Sequence, residues 1–90
     1  MNVYYDPRVD KIIRQLPRKE SARIIQLIDL FKEFGFSLPE LFLKKLTRGL
    51  WELKAGRWRL LFGGTDNNYI IVNIFMKKTQ KTPKKDLETA

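Results

Sequence analysis

Lys54, Arg57 and Arg59 stand among large apolar residues in the run GLWELKAGRWRLLF, with the spacing of a strand pair that has two unlike faces. Trp51, Leu53, Trp58, Leu60 and Phe62 fall on one face, and the three cations fall on the other. Grouped cations of this kind suit phosphate: arginine offers a planar fork to two oxygens and lysine a compact point charge. On RNA such a face can support cleavage, in which the ribose 2′-hydroxyl attacks the neighbouring phosphate while fixed cations stabilise the charged phosphorane. The reaction needs one group to take the hydroxyl proton and one to protonate the leaving 5′-oxygen, and it requires no metal or cofactor. With no His and no Cys in the chain, imidazole bases, thiolate nucleophiles and the usual zinc ligands are excluded. Lysine suits either proton transfer where neighbouring cations lower its pKa, while arginine stays charged and suits the electrostatic part.

Two further groups of cations flank this run. Lys77, Lys78 and Lys81 follow an apolar strand pattern and so emerge at a strand end, and Lys44, Lys45 and Arg48 come just before the hairpin. Either group can extend the same surface through phosphate contacts that position a nucleic acid; as ordinary solvated charge they would do nothing. Eighteen Lys and Arg against ten Asp and Glu leave a net charge of +8. That balance favours RNA, DNA or an acidic protein over a neutral small molecule.

Ninety residues make a single domain, 1–90, whose core must be compact, since a chain this short removes only about 60 to 65 per cent of its surface from water. A hydrophobic share of 43% and an aromatic share of 12% are those of a chain that folds. Val9, Ile12, Ile13 and Leu16 are at helical spacing from about Asp6, and Pro17 closes that helix. A second, longer helix carries the stripe Ile24, Leu27, Ile28, Phe31 and Phe34 and stops at Gly35. Phe36 to Arg48 reads as a connection with a helical turn. The strands Leu50–Lys54 and Arg57–Phe62 then flank Ala55 and Gly56 as a two-residue loop. That loop opposes Lys54 to Arg57, Leu53 to Trp58, Glu52 to Arg59 and Trp51 to Leu60, so that like charges face each other at the tip. Tyr69–Met76 reads as a central strand with Ile70, Val72, Ile74 and Met76 on its buried face, and Thr82 and Pro83 can start a short helix through Glu88. The N-terminus has no signal-peptide stretch and no window is apolar enough to cross a membrane, so a cytoplasmic protein is expected.

At GLWELKAGRWRLLF and IFMKKTQKTPKKDLETA the chain resembles the RelE superfamily of bacterial toxins, particularly its HigB-like, phage-derived branch, whose members carry similar GLWEL, G-R-x-R and F-x-K-K-T-Q-K-T-P patterns. The likeness extends to the LP break, the long helix ending in EFG and the K-K-L segment. It implies an α+β fold, with two N-terminal helices packed on a small, mainly antiparallel sheet of about three to four strands. The resemblance further implies a type II toxin, a ribosome-dependent endoribonuclease that cuts mRNA and inhibits translation until a cognate antitoxin binds it. Ribosomal RNA and a higher-order toxin–antitoxin complex on operator DNA would be further partners.

Carried over residue by residue, Arg59 matches the arginine at the scissile phosphate and Arg57 a supporting cation. Lys54 matches a strand residue that contacts RNA or shares proton transfer, and Lys77 and Lys78 match basic positions after the last main strand. The expected catalytic set is therefore Lys54, Arg57, Arg59 and Lys78, and the expected RNA-binding set is Lys44, Lys45, Arg48, Lys77 and Lys81. Several toxins of this type also use a C-terminal tyrosine or histidine, which this chain lacks there, so Lys54 and Lys78 are the candidates for moving the proton. Two other readings are a ParE-like inhibitor of topoisomerase, which shares the architecture but acts on a protein, and an inactive nucleic-acid-binding relative.

Overall fold

Asp6 starts the first helix: its carboxylate accepts from the Arg8 N–H at 2.9 Å, and Pro7 fills the first turn, where its missing N–H is not needed. That hydrogen bond, and a second from the Arg8 side chain, hold the Asp6 carboxyl below the usual carboxylate range. In the computed structural model, which describes residues 1–77, this helix is α1 (Pro7–Gln15) and a second, α2, runs Arg18–Phe34. Val9 and Ile13 of α1 and Ile24, Leu27, Ile28 and Phe31 of α2 are buried. Phe34 ends the expected stripe but is 51% exposed; it is Phe36, in the turn that follows α2, whose ring joins Phe31 over the sheet. The segment expected to form a C-terminal helix, with Lys78 and Lys81, lies outside the described residues.

The sheet has five strands in the order β1-β5-β4-β3-β2 rather than the three to four expected. The additional strands are the two edges, β1 (Asn2–Tyr5) and β2 (Leu43–Thr47). Each is short, and only Leu43 of β2 is fully buried, so neither carries a long apolar alternation that betrays a strand in sequence. β1 runs parallel to β5 (Asn68–Met76), and the other three pairings are antiparallel.

The central hairpin joins β3 (Leu50–Ala55) to β4 (Trp58–Thr65) through Gly56 and Arg57, one residue later than the expected Ala55–Gly56 loop. Ala55 is 3% exposed and belongs to the core, while Gly56 adopts φ 63 at the first loop position, as a tight hairpin turn requires. The observed pairs are consequently Ala55 with Trp58, Lys54 with Arg59, Leu53 with Leu60, Glu52 with Leu61 and Trp51 with Phe62. Every partner has moved by two positions, which preserves the face of each side chain.

β4 returns into β5 through Asp66 and Asn67, both at positive φ, the signature of a type I′ hairpin. Phe62 pairs with Ile71 but Leu61 pairs with Asn73, so Val72 is an extra residue in β5. This bulge turns Ile71 and Ile74 to the same side. Both are buried, whereas Ile70, Val72 and Met76, expected in the core, are 47%, 45% and 44% exposed.

The helices cover the face carrying Leu53, Ala55, Leu60, Phe62, Ile71 and Ile74. Phe31, Phe36, Phe62 and Tyr69 form an aromatic cluster there, every pair of rings lying 4.7–6.2 Å apart, and Phe36 also touches Trp51 at 4.6 Å. The opposite face carries Lys44, Glu52, Lys54, Arg59, Leu61 and Phe75, and no helix among the described residues packs on it.

Candidate nucleic-acid interface

Lys54 and Arg59 are directly opposed in β3 and β4, on the face away from the helices. Two like charges at adjacent positions destabilise a strand pair unless each is neutralised or solvated. Arg59 is only 7% exposed, and its guanidinium is held by backbone oxygen: Nη1 donates to the carbonyls of Gly56 at 2.7 Å and Trp58 at 3.1 Å. Its Nε faces the Glu52 carboxylate at 3.8 Å, close enough for charge attraction and too long for a hydrogen bond. Glu52 is thus the partner expected for Arg59, but as a diagonal neighbour rather than a directly opposed one. Nη2 makes no hydrogen bond among the described residues. Lys54 donates from Nζ to the backbone carbonyl of Glu40 at 3.2 Å, which ties the strand to the loop before β2.

Lys77 completes the group. Its N–H donates to the Arg57 carbonyl at 2.7 Å, fixing the chain after β5 to the hairpin tip. Lys54, Arg59 and Lys77 together line one open cleft of about 480 Å³, whose remaining walls are Leu41, Phe42 and Gly56. Three cations converging on one concave surface can bind a phosphate diester, and a buried, doubly anchored arginine is oriented before the anion arrives.

The other cations expected at the site are distributed differently. Arg57 is an exposed turn residue and does not line the cleft; the cause is the one-residue displacement of the loop. Lys44 shares the open face, opposite Glu52. Lys45 lies on the helix-covered side, with Nζ 5.6 Å from the centre of the Trp51 ring, a cation–π contact. Arg48 lies in the turn between β2 and β3, at the opposite end of β3 from Gly56 and so about 20 Å from the cleft by strand rise. Lys45 and Arg48 are therefore not gathered with Lys54, Arg59 and Lys77. Leu41 and Phe42 were not expected at the site. Their segment carries no periodic pattern, and two contacts to Lys54 bring it beside the cleft: the Lys54 N–H donates to the Phe42 carbonyl at 2.8 Å, and Nζ donates to the Glu40 carbonyl. Among the described residues no cluster of carboxylates could hold a metal ion, and no helix is long and apolar enough to cross a membrane.

Two helices on one face of a mixed five-stranded sheet, with a cationic cleft on the other, define a RelE-like fold. A chain of the archaeal RelE–RelB complex from Pyrococcus horikoshii OT3 superposes with a TM-score of 0.72 at 21% identity, over 86% of this chain and 94% of that one. The isolated RelE toxin of E. coli superposes with a TM-score of 0.70 at 12% identity, over 98% and 96%. A chain of the YoeB–YefM complex from Staphylococcus aureus gives 0.66 at 18% identity, over 82% and 93%. No curated protein sequence matches the chain. The chain belongs to the family described as phage derived protein Gp49-like (DUF891), whose pattern residues 11–90 match.

Proposed function

We propose that this protein is the toxin of a type II toxin–antitoxin system, an endoribonuclease that cuts mRNA on the ribosome in the cytoplasm and thereby inhibits translation. The observation that carries the reading is the opposition of Lys54 and Arg59 in one cleft with Lys77, the arginine held by the Gly56 and Trp58 carbonyls. In this reading Arg59 binds the scissile phosphate and stabilises the phosphorane, Lys77 neutralises the adjacent backbone, and Lys54 or Lys78 moves a proton. Lys44 extends the same face toward ribosomal or messenger RNA. Arg57, Lys45, Arg48 and Lys81 act as peripheral phosphate contacts. The RelE likeness supports a toxin, and the complexes with RelB and YefM among the similar structures support an antitoxin partner. The open face adds its own support: Phe75, directly opposed to Arg59, is 40% exposed, and Ile70 and Tyr4, 47% and 53% exposed, continue that face away from the cleft toward β1, a surface suited to an acidic amphipathic segment. A larger assembly with the antitoxin on operator DNA follows from the same reading.

Primer extension on translated mRNA after brief expression tests it. Cuts between bases of codons support the ribonuclease. DNA-damage signals without cuts would instead make the protein a ParE-like topoisomerase inhibitor, and neither outcome would leave a nucleic-acid-binding relative without activity. Full cleavage by the double variant Lys54→Ala, Lys78→Ala would remove both lysines from proton transfer. A neighbouring small protein that neither co-purifies with this one nor relieves its toxicity would remove the antitoxin.

A further inference from the structure

Gly56 is bracketed by two arginines from different elements. Arg59 of β4 donates to its carbonyl at 2.7 Å, and Arg23 of α2 lies against its other side, so that a Cβ built on Gly56 would sit 2.8 Å from Arg23 Nη1. Arg23 is exposed and has no ion pair among the described residues. It stands at the rim of a second depression of about 440 Å³, between α2 and β3, walled by Leu27, Leu30 and Phe42 with Gln26 beside the arginine. Phe42, Lys54 and Gly56 line both this groove and the cationic cleft, so the two depressions meet along a shared wall.

We propose that this groove is a nucleoside subsite, which takes the base next to the phosphate held by Lys54, Arg59 and Lys77. The inference rests on the polyanion reading of the cleft and goes beyond it. The cleft alone supplies charge, which carries no discrimination between nucleotides. The groove supplies what a base needs: an aromatic ring, aliphatic walls, and polar donors and acceptors at the rim. Phe42 is half-buried and anchored through its backbone, its N–H donating to the Pro39 carbonyl at 2.9 Å and its carbonyl accepting from Lys54 at 2.8 Å. These bonds fix the backbone that carries the ring at the wall shared by the two depressions, where it can serve as a stacking platform. Gln26 can donate to and accept from a base edge, and Arg23 can hold the next phosphate along the strand. A single strand would thus cross the hairpin tip, with successive phosphates on Arg59 and Arg23 and one base between them.

Binding of a 2′-O-methyl RNA hexanucleotide, which cannot be cleaved by 2′-hydroxyl attack, tests the subsite when an abasic residue is placed at each position in turn. In the wild-type protein one abasic position is expected to weaken binding about tenfold. Phe42→Leu and Arg23→Gln are each expected to weaken the intact oligonucleotide severalfold, and in Phe42→Leu the abasic penalty should vanish. Arg23 is a surface residue whose replacement leaves the core untouched, so Arg23→Gln remains informative if Phe42→Leu folds poorly. The amide resonances of Arg23 and Gln26 should shift on addition of the oligonucleotide. An abasic penalty that persists in Phe42→Leu, or binding by Arg23→Gln equal to wild type, overturns the subsite while weak binding by Arg59→Ala keeps the cleft. Equal binding by Arg59→Ala and wild type overturns the cleft reading itself. Shifts at Arg23 and Gln26 caused by an acidic amphipathic peptide, with none from the oligonucleotide, would assign the groove to a protein partner and overturn the proposal.

Discussion

Arg59 donates from Nη1 to the carbonyl of Gly56 at 2.7 Å, so the buried guanidinium of the candidate site is fastened to the turn that precedes its own strand. The interaction separates two roles that a surface cation would have to combine. Nη1 is spent on backbone oxygen and Nε faces the Glu52 carboxylate, which leaves Nη2 available to an anion. A lysine cannot divide itself in this way, because its ammonium is a single point on a flexible stem. Arg59→Lys is therefore expected to lower the rate of mRNA cleavage by about 100-fold or more, in the range found when one donor to a developing oxyanion is removed. Single-turnover cleavage on translating ribosomes measures this, with thermal melting run alongside to confirm that the variant is folded at the assay temperature. A rate within about threefold of wild type would exclude Arg59 from stabilising the transition state.

Gly64 tests the β4–β5 pairing that carries Arg59 and Lys77 into one cleft. A Cβ at this position would lie 2.0 Å from the Asn68 carbonyl oxygen and 2.8 Å from the Tyr69 Cα, both backbone atoms in the paired strand. Neither atom can yield without breaking the ladder. Gly64→Ala is expected to destabilise the protein by about 3 kcal/mol or more. Gly49 offers the contrast, since a Cβ there meets nothing within 4 Å and only its backbone angle opposes the change. Gly49→Ala should cost about 1 kcal/mol. Urea unfolding of the two variants checks the order, and equal losses would contradict the close approach at Gly64.

The sequence made the helices and the two faces of the hairpin legible, and it did so for physical reasons that mark where it stopped. Val9, Ile13, Ile24, Leu27, Ile28 and Phe31 recur at helical spacing because they all face one sheet. The separation of Leu53 and Leu60 from Lys54 and Arg59 survived a wrong loop because an error of two positions keeps every side chain on its face. What alternation could not reveal was β5, where the bulge at Val72 reverses the pattern partway along the strand. Nor could it reveal β1 and β2, whose outer edges have no partner strand among the described residues and hence little apolar demand. At the site, the cations were visible by type, but their grouping depended on tertiary contacts. The Lys77 N–H bond to the Arg57 carbonyl and the Lys54 bond to the Glu40 carbonyl join segments 20 and 14 residues apart in sequence.

Phe31 and Phe34 belong to one sequence stripe and differ sharply in place. Phe31 is 1% exposed and touches Phe36, Phe62 and Tyr69, whereas Phe34 is 51% exposed. Phe31→Ala would leave a cavity at the centre of the aromatic cluster and is expected to cost about 3–5 kcal/mol, a large share of the stability of a domain this size. Phe34→Ala should cost less than about 1 kcal/mol. Chemical denaturation distinguishes the two, and comparable losses would mean that the stripe is buried along its whole length.

Tyr5 gives the fold a measurable response to alkali. Burial pushes its phenol above its usual range, and the negative charges of Asp29 and Asp10 push it further in the same direction. The native state therefore holds this proton more tightly than the unfolded chain, whose tyrosines titrate near about pH 10. The sign follows by linkage: the stabilisation is fully present below that pH and is lost as pH rises through the higher native value. Tyr5→Phe keeps the ring and removes the titrating group, so wild type and variant should show parallel stability from about pH 7 to 9 and diverge above about 10, with wild type falling faster. Denaturant midpoints measured across that range decide the matter, because Tyr4, Tyr69 and the lysines are common to both proteins. Parallel decline of the two proteins above pH 10 would mean that Tyr5 titrates alike in the folded and unfolded chain.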